Sequence, residues 1–349
     1  MSEVLSESVL VGGAHPTASN ASEKPRREAA ITCANVEAPR VRLERRQKDY
    51  MSGEEHGDMQ ILVTGGAGFI GGHLAEDFTA NGHDVTVLDN LEPYYDLGIK
   101  EHNVDAGRDA AANSDGSYEF VEGSVTDADL LEELTQTKDV IYHQAAQAGV
   151  RTSVEQPAKV NEYNVTGTVN VLEAARNNDV DRVVYASSSS VYGKPEYLPY
   201  DEEHINEPVS PYGVSKLSGE HYARVYNEVY GLPTVSLRYF TVYGPRMRPN
   251  MAISNFVSRC MRGELPQIYG DGSQTRDFTY VADVVDANRT LLSDDSADVE
   301  IMNIGSTDNV DIETLAEVVR DEIDPSLDIE YTEALSVQRT WTRNRRNPS

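Results

Sequence analysis

Cysteine is nearly missing from this chain. Its 349 residues hold two, Cys33 and Cys260, too few for a disulfide framework, so a reducing, cytoplasmic setting is expected. Long apolar runs are missing too. No stretch reaches the ~20 residues of a membrane-crossing helix, and no charged start runs into an apolar core as in a secretion signal, so a membrane is not an expected partner. Lysine is scarce, with seven residues, while acidic residues number 58 and the net charge is −28. A surface this acidic repels phosphates, which excludes nucleic acid as a partner. The same imbalance implies a halophilic protein adapted to molar salt, where charge repulsion is screened within about 3 Å. Against that background any arginine kept in a pocket is a candidate for binding phosphate. No metal site is expected.

What the chain does have is one ordered stretch, Met59-Gln-Ile-Leu-Val-Thr-Gly-Gly-Ala-Gly-Phe-Ile-Gly-Gly72. Ile61-Leu62-Val63 reads as a buried strand, and Phe69, Ile70 and Leu74 as the apolar face of a helix. Between them Gly65, Gly68 and Gly71 form a turn that lets the backbone approach a pyrophosphate and aims a helix N-terminus at it. The next strand, Val85-Thr86-Val87-Leu88, ends in Asp89. An acid there accepts hydrogen bonds from ribose hydroxyls and repels a 2′-phosphate, so the fingerprint calls for NAD rather than NADP.

The rest of the chain alternates strands and helices. Strands are expected at 118–121, 139–142, 182–185 and 234–238, and helices at 127–134, 165–177 and 214–230, with residues 90–117 as a polar loop. Such alternation means an α/β fold with a doubly wound parallel sheet and ligands at the carboxyl ends of the strands. Helices at 254–261, 282–292 and 312–323 and a short strand at 301–304 make a smaller C-terminal α/β substrate-binding part. The expected organisation is therefore a Rossmann domain over 59–238 and a substrate part over 239–335. Residues 1–58 read as a disordered or non-native extension, with Met51 or Met59 as the natural first residue, the alternative being a regulatory or targeting tail. Residues 336–349 are an arginine-dense basic tail at odds with the acidic chain.

Two further segments carry chemistry. A strand ends in Ala186-Ser187-Ser188-Ser189-Ser190-Val191-Tyr192-Gly193, and Ser210-Pro211-Tyr212-Gly213-Val214-Ser215-Lys216 opens a helix. Tyr212 and Lys216 are four apart and share a helix face. An ammonium and a positive nicotinamide beside a tyrosine favour its phenolate, making it a usable base, while a serine hydroxyl shares the substrate's proton.

With these motifs the chain resembles an extended short-chain dehydrogenase/reductase of the nucleotide-sugar epimerase/dehydratase branch. The resemblance extends through His143-Gln-Ala-Ala-Gln-Ala-Gly-Val-Arg151, Asn164-Val-Thr-Gly-Thr168, Leu237-Arg-Tyr-Phe-Thr-Val-Tyr-Gly-Pro245 and Tyr269-Gly-Asp-Gly-Ser-Gln-Thr-Arg-Asp277. It implies Ser188 as the catalytic hydroxyl, with Ser187 and Ser189 as slipped alternatives, Tyr212 as base and Lys216 on the nicotinamide ribose. It implies Gly65, Gly68, Phe69, Ile70, Gly71, Asp89, Asn90, Ser124, Val125, Ala145, Ala146, Gln147, Asn164 and Tyr239 around NAD. Arg151, Thr241, Tyr269 and Arg276 are implied around a UDP-sugar. Relatives often pair through helices, which implies a homodimer.

Two positions depart from the family. Ser124 stands where an aspartate usually bonds the adenine amine. After residue 335 the family's second diphosphate arginine is replaced by the basic tail, which looks like an altered reading frame, with a phosphate-binding arm as the alternative. The implied reaction is 4-epimerisation of UDP-glucose, UDP-galactose or UDP-glucuronate, with Arg151 or Arg246 open as the receiver of a C6 carboxylate or of phosphate. The alternatives are another nucleotide-sugar enzyme of this class, a dehydratase or reductase, or a disabled NAD-binding relative. Ser189 and Ser190, where dehydratases need an acid, favour epimerisation. The salt adaptation has its own test: the midpoint of thermal unfolding is expected to rise from ~0.1 M to molar KCl, and a midpoint highest in dilute buffer would remove it.

Overall fold

Strand β1 (Gln60–Thr64) occupies the middle of a seven-stranded sheet. Ile61 and Val63 face one helical layer and Leu62 the other, and all three are fully buried. That two-sided burial is why the strand is continuously apolar rather than alternating. Each such side chain gains roughly 1.5–3 kcal/mol on leaving water. The computed structural model describes residues 58–294, 296–306 and 309–333, so the readings of 1–57 and of the basic tail lie outside the described residues.

From β1 the chain runs through α1 (Phe69–Ala80), β2 (Asp84–Asp89), α2 (Leu97–Ala112) and β3 (Ser117–Glu122). It then recrosses through α3 (Ala128–Leu134) to β4 (Val140–His143), on the other side of β1. Helices α4 (Val150–Glu155) and α5 (Pro157–Asn161), a wide helical turn at Glu162–Thr166, and α6 (Gly167–Asn177) lead to β5 (Arg182–Ser188). Helix α7 (Pro211–Tyr230) and β6 (Thr234–Tyr239) follow. The sheet order is β10-β6-β5-β4-β1-β2-β3, where β10 is Ile301–Ile304, and every pairing is parallel. This is the doubly wound α/β sheet expected from the sequence. The strand order reverses between β1 and β4, and that reversal opens a crevice at their carboxyl ends.

The C-terminal part carries β7 (Thr241–Tyr243), α8 (Ala252–Met261), β8 (Gln267–Tyr269), β9 (Thr275–Tyr280) and α9 (Val281–Thr290). After β10 come β11 (Asn309–Asp311), α10 (Ile312–Ile323) and β12 (Glu330–Thr332). It forms two small sheets, β11-β9-β7 and β12-β8, over a separate core of Phe256, Ile268 and Ala316. Among the described residues no helix is long and apolar enough to cross a membrane.

One expectation is corrected. Residues 90–117 are not a loop but contain α2, a helix started by Asp96, whose carboxylate accepts from the Gly98 amide at 2.9 Å. Its buried stripe is Lys100, Asn103, Val104 and Gly107, spaced as a helix requires but mostly polar or without a side chain. An apolar-periodicity reading has nothing to detect there. Helical structure also begins earlier than 165, because Gln156-Pro157 breaks the run into the short α4 and α5.

Helix α7 has both ends specified. The Ser210 hydroxyl accepts from the Gly213 amide at 3.1 Å, Pro211 occupies the first turn, and Gly231 closes the helix in the left-handed region at φ 71°. Gly219 lets α7 lie directly on β5, since a β-carbon there would collide with the Tyr185 hydroxyl.

Candidate active site

The crevice at the carboxyl ends of β1 and β4 holds a cavity of about 460 Å³. Its floor is the glycine turn. Gly65 has φ +71°, and a β-carbon on it would stand 2.7 Å from the Ala145 backbone. A β-carbon on Gly71 would run into the Gly65 carbonyl. Helix α1 starts at Gly68 with no side-chain cap, so its first amides face the cavity through Phe69 and Ile70. An uncapped helix start with close backbone access is a binding place for negative charge.

Asp89 lies beside this turn, buried. Its carboxylate accepts from the Ala67 amide at 3.2 Å, the Leu91 amide at 2.9 Å and the Lys100 ammonium at 3.0 Å. Lys100 was not foreseen, because it arrives on α2. Three residues on, the Asn103 amide donates to the carbonyls of Ala67 and Gly68, at 2.9 and 3.0 Å. Asn90, Ser124 and Val125 line the same end of the cavity. The Ser124 hydroxyl is engaged locally, accepting from the Thr126 amide at 3.1 Å.

The opposite wall carries Ser188, Tyr212 and Lys216. Successive β5 side chains alternate, which separates the serines. The Ser187 hydroxyl is spent on buried Glu220, to which it donates, whereas the Ser188 hydroxyl hydrogen-bonds Tyr212 at the cavity wall. The Ser188 oxygen also accepts from the Ser190 amide at 3.1 Å, which fixes its orientation. Burial pushes the Tyr212 phenol above its ordinary value, and the Arg248 guanidinium and the Ser188 hydrogen bond pull it back. Lys216 is 3 % exposed, donates to the Ala186 carbonyl at 2.6 Å and stands 5.1 Å above the Tyr185 ring. Burial lowers it to about 7, against an upward pull from Glu220.

Between these walls a buried relay ties strand ends together. Thr64 donates to His143 Nδ1 at 2.7 Å, because His143 Nε2 must donate to Thr168, whose own proton goes to the Asn164 carbonyl. Burial, with Lys216 nearby, pushes His143 down to about 3, so the ring stays neutral. The Asn164 side chain then holds the Gln147 backbone from both sides, at 2.7 and 3.2 Å. Ala145, Ala146 and Gln147 line the cavity, while Asn164 stands behind them. Tyr239 presents its ring to the cavity and exchanges hydrogen bonds with Asn288. Burial pushes its phenol up to about 12.

The expected substrate residues separate. Thr241 lines the cavity. Arg151, Tyr269 and Arg276 are exposed and do not, Arg276 donating to the Thr275 carbonyl at 2.7 Å. Arg246 pairs outward with Glu76 at 2.6 Å, and its left-handed backbone, φ 64°, reverses the chain. That reversal sends Arg248, which sequence reasoning passed over, to the cavity wall. Its guanidinium lies 5.7 Å over the Tyr94 ring and within 3.5 Å of the Met251 sulfur.

Residues 61–305 match the model of the NAD dependent epimerase/dehydratase family. The chain is 43 % identical over 268 residues to a putative UDP-glucose 4-epimerase of Methanocaldococcus jannaschii, covering 75 % of this chain and 82 % of that protein. The solved UDP-glucuronic acid 4-epimerase of Bacillus cereus, in complex with UDP-glucuronic acid and NAD, aligns with a TM-score of 0.72 at 33 % identity, over 83 % of this chain and 94 % of that one. The UDP-glucose 4-epimerase of Thermotoga maritima, solved with UDP-glucose, also aligns at a TM-score of 0.72 and 33 % identity, over 80 % and 87 %.

Lys216 gives a prediction with a definite sign. It releases its proton near pH 7 in the fold and near ~10.4 in an unfolded chain. Between those values the unfolded chain holds more protons, so this group makes the fold gain stability as pH rises, and its burial penalty is fully present below about pH 7. Lys216→Met is therefore expected to raise the unfolding midpoint of protein stripped of small molecules more at about pH 6 than at about pH 9. An equal shift at both values would show that Lys216 carries no such penalty.

Proposed function

Because the chain belongs to the NAD dependent epimerase/dehydratase family, we propose its reaction in full: it is an NAD-dependent nucleotide-sugar 4-epimerase whose substrate is a UDP-sugar, UDP-glucuronate by preference. The carrying observation is that Ser188, Tyr212 and Lys216 converge on one wall of a cavity whose floor is the uncapped glycine turn beside Asp89. The residues present fit a dinucleotide, because Gly65 and Gly71 allow the close backbone packing of the turn, and the uncapped start of α1 lies at the cavity beside the buried Asp89 carboxylate. NAD held there would take the hydride from C4 of the sugar and return it to the opposite face. Tyr212 takes the proton of the 4-hydroxyl and gives it back, with Ser188 orienting that hydroxyl. Lys216, as an ammonium, favours the phenolate.

Arg248 supports the choice of sugar. A guanidinium on the cavity wall takes a C6 carboxylate through two parallel hydrogen bonds. UDP-glucose is the second reading, favoured by the similarity to the methanogen protein. Residues 59–238 serve the cofactor and 239–335 the sugar nucleotide, in a cytoplasmic, salt-adapted enzyme.

A turnover panel of UDP-glucuronate, UDP-glucose, UDP-galactose and UDP-N-acetylglucosamine in molar KCl tests this. The expected result is 4-epimerisation of UDP-glucuronate without added cofactor, with kcat falling by about 10²–10⁴ in Tyr212→Phe and KM rising by at least about 10-fold in Arg248→Met. Conversion of UDP-glucose alone would favour the second reading, and bound NAD without any conversion would mark a disabled relative.

The enzyme works as a homodimer in this reading. Val154 on α4 and Val214, Tyr222, Val225 and Val229 on α7 are exposed apolar side chains, and the four on α7 fall on one helix face. Sedimentation is expected to give twice the chain mass, with Val229→Asp shifting it toward one. A wild-type monomer would overturn this assignment.

A further inference from the structure

Beneath the wall that carries Ser188, Tyr212 and Lys216 lies a second layer of side chains, of which Glu220, Arg238 and Tyr192 do not line the cavity. Its centre is Glu220, 2 % exposed, one helical turn beyond Lys216 and two beyond Tyr212 on α7. Its carboxylate accepts from the Ser187 hydroxyl and takes one edge of the Arg238 guanidinium through two hydrogen bonds, Nε at 2.9 Å and Nη2 at 2.8 Å. Arg238 is 1 % exposed and continues to the Tyr192 hydroxyl at 2.9 Å, which donates to Asn303 on β10 at 2.6 Å.

The register gives this cluster its meaning. Ser187 on β5 stands opposite Arg238 on β6, and the next pair along is Ser188 opposite Tyr239. Side chains alternate across a sheet. One pair therefore meets Glu220 and the following pair lines the cavity. On all three elements the group fastened by Glu220 is the immediate neighbour, or one turn away, from a group that faces the substrate.

We propose that Glu220 is the positioning residue of the site: a single buried carboxylate locks α7, β5 and β6 in the register that aims Ser188, Tyr239 and Lys216 at one point. This rests on the epimerase reading above. Stability alone does not account for such a pair, since buried ion pairs replaced by apolar residues of similar volume are often as stable or more so. The carboxylate also acts on charge. The groups facing Lys216 are Tyr185 and His143 from the strands and Tyr212 and Glu220 from its own helix. Those facing Glu220 are Ser187 and Tyr185 from β5, Arg238 from β6, Lys216 from its own helix and, beyond Arg238, Tyr192. Glu220 is the carboxylate among them, and it favours the ammonium form of Lys216.

The test uses the holoenzyme. Glu220→Gln keeps the side chain's shape but loses the anion and leaves Arg238 unbalanced. Expected are a kcat reduced about 10–100-fold with KM changed less than about 3-fold, and the descending alkaline limb of the pH profile moved about one unit lower. Glu220→Met with Arg238→Met removes the unbalanced cation. It is expected to recover the unfolding midpoint while kcat stays at least about 10-fold down, and it carries the test if the single variant does not fold. Recovery of kcat to within about twofold with the wild-type pH profile would reduce the cluster to a structural pair and overturn the proposal. If the wild type converts no sugar, the epimerase reading has failed rather than this one. The Lys216 titration, followed by NMR of ¹³C-methylated lysines, then decides: a shift to lower pH in Glu220→Gln supports the proposal, and an unmoved titration overturns it.

Discussion

Charge is costly to take out of water, and this molecule removes it at the carboxyl ends of its parallel strands. Three cations are buried there, and each is handled differently. Lys100 is paired with Asp89 at 3.0 Å, Arg238 is held by Glu220 through two hydrogen bonds on one edge, and Lys216 has a backbone carbonyl and the face of Tyr185. The first two each have a carboxylate in contact. The third lacks one, and its proton is correspondingly loose. Paired charges build the frame, and the incompletely compensated one lines the cavity.

The topology makes that concentration possible. A doubly wound sheet delivers every strand's carboxyl end to the same side, and the reversal between β1 and β4 keeps a helix from covering the gap. The glycine turn sets how near a ligand can come, because Gly65 packs on the Ala145 backbone. The floor and the β4 wall are thus one contact. The relay from Thr64 through His143 and Thr168 to Asn164 holds that contact from behind.

Much of this was legible in the residues. The strand, turn and helix around Gly65, the acid at Asp89 and the pairing of Tyr212 with Lys216 follow from local rules of period and spacing, and the fold obeys them. What escaped was set by neighbours distant in sequence. Helix α2 was hidden because its buried stripe presents Lys100 and Asn103 to Asp89 and to the turn carbonyls rather than a greasy face to the core. Arg246 and Arg248 look equivalent two residues apart, until a left-handed backbone sends one to Glu76 and the other to the cavity. Among the serines the choice depends on which face of β5 looks at α7, where Gly219 packs on Tyr185 and Glu220 takes Ser187.

A sheet with no antiparallel neighbours also has a history. Thr64 meets His143 across 79 residues, and Tyr192 meets Asn303 across 111. No hairpin gives these strands an early local reward, so loops must close before contacts repay them, and folding of this kind is slow. As the chain leaves the ribosome, the glycine turn is complete long before Arg248 exists and longer still before β10 caps the edge. A net charge of −28 keeps that waiting intermediate apart from its copies. The charge that burdens the finished fold with self-repulsion protects the chain while it forms.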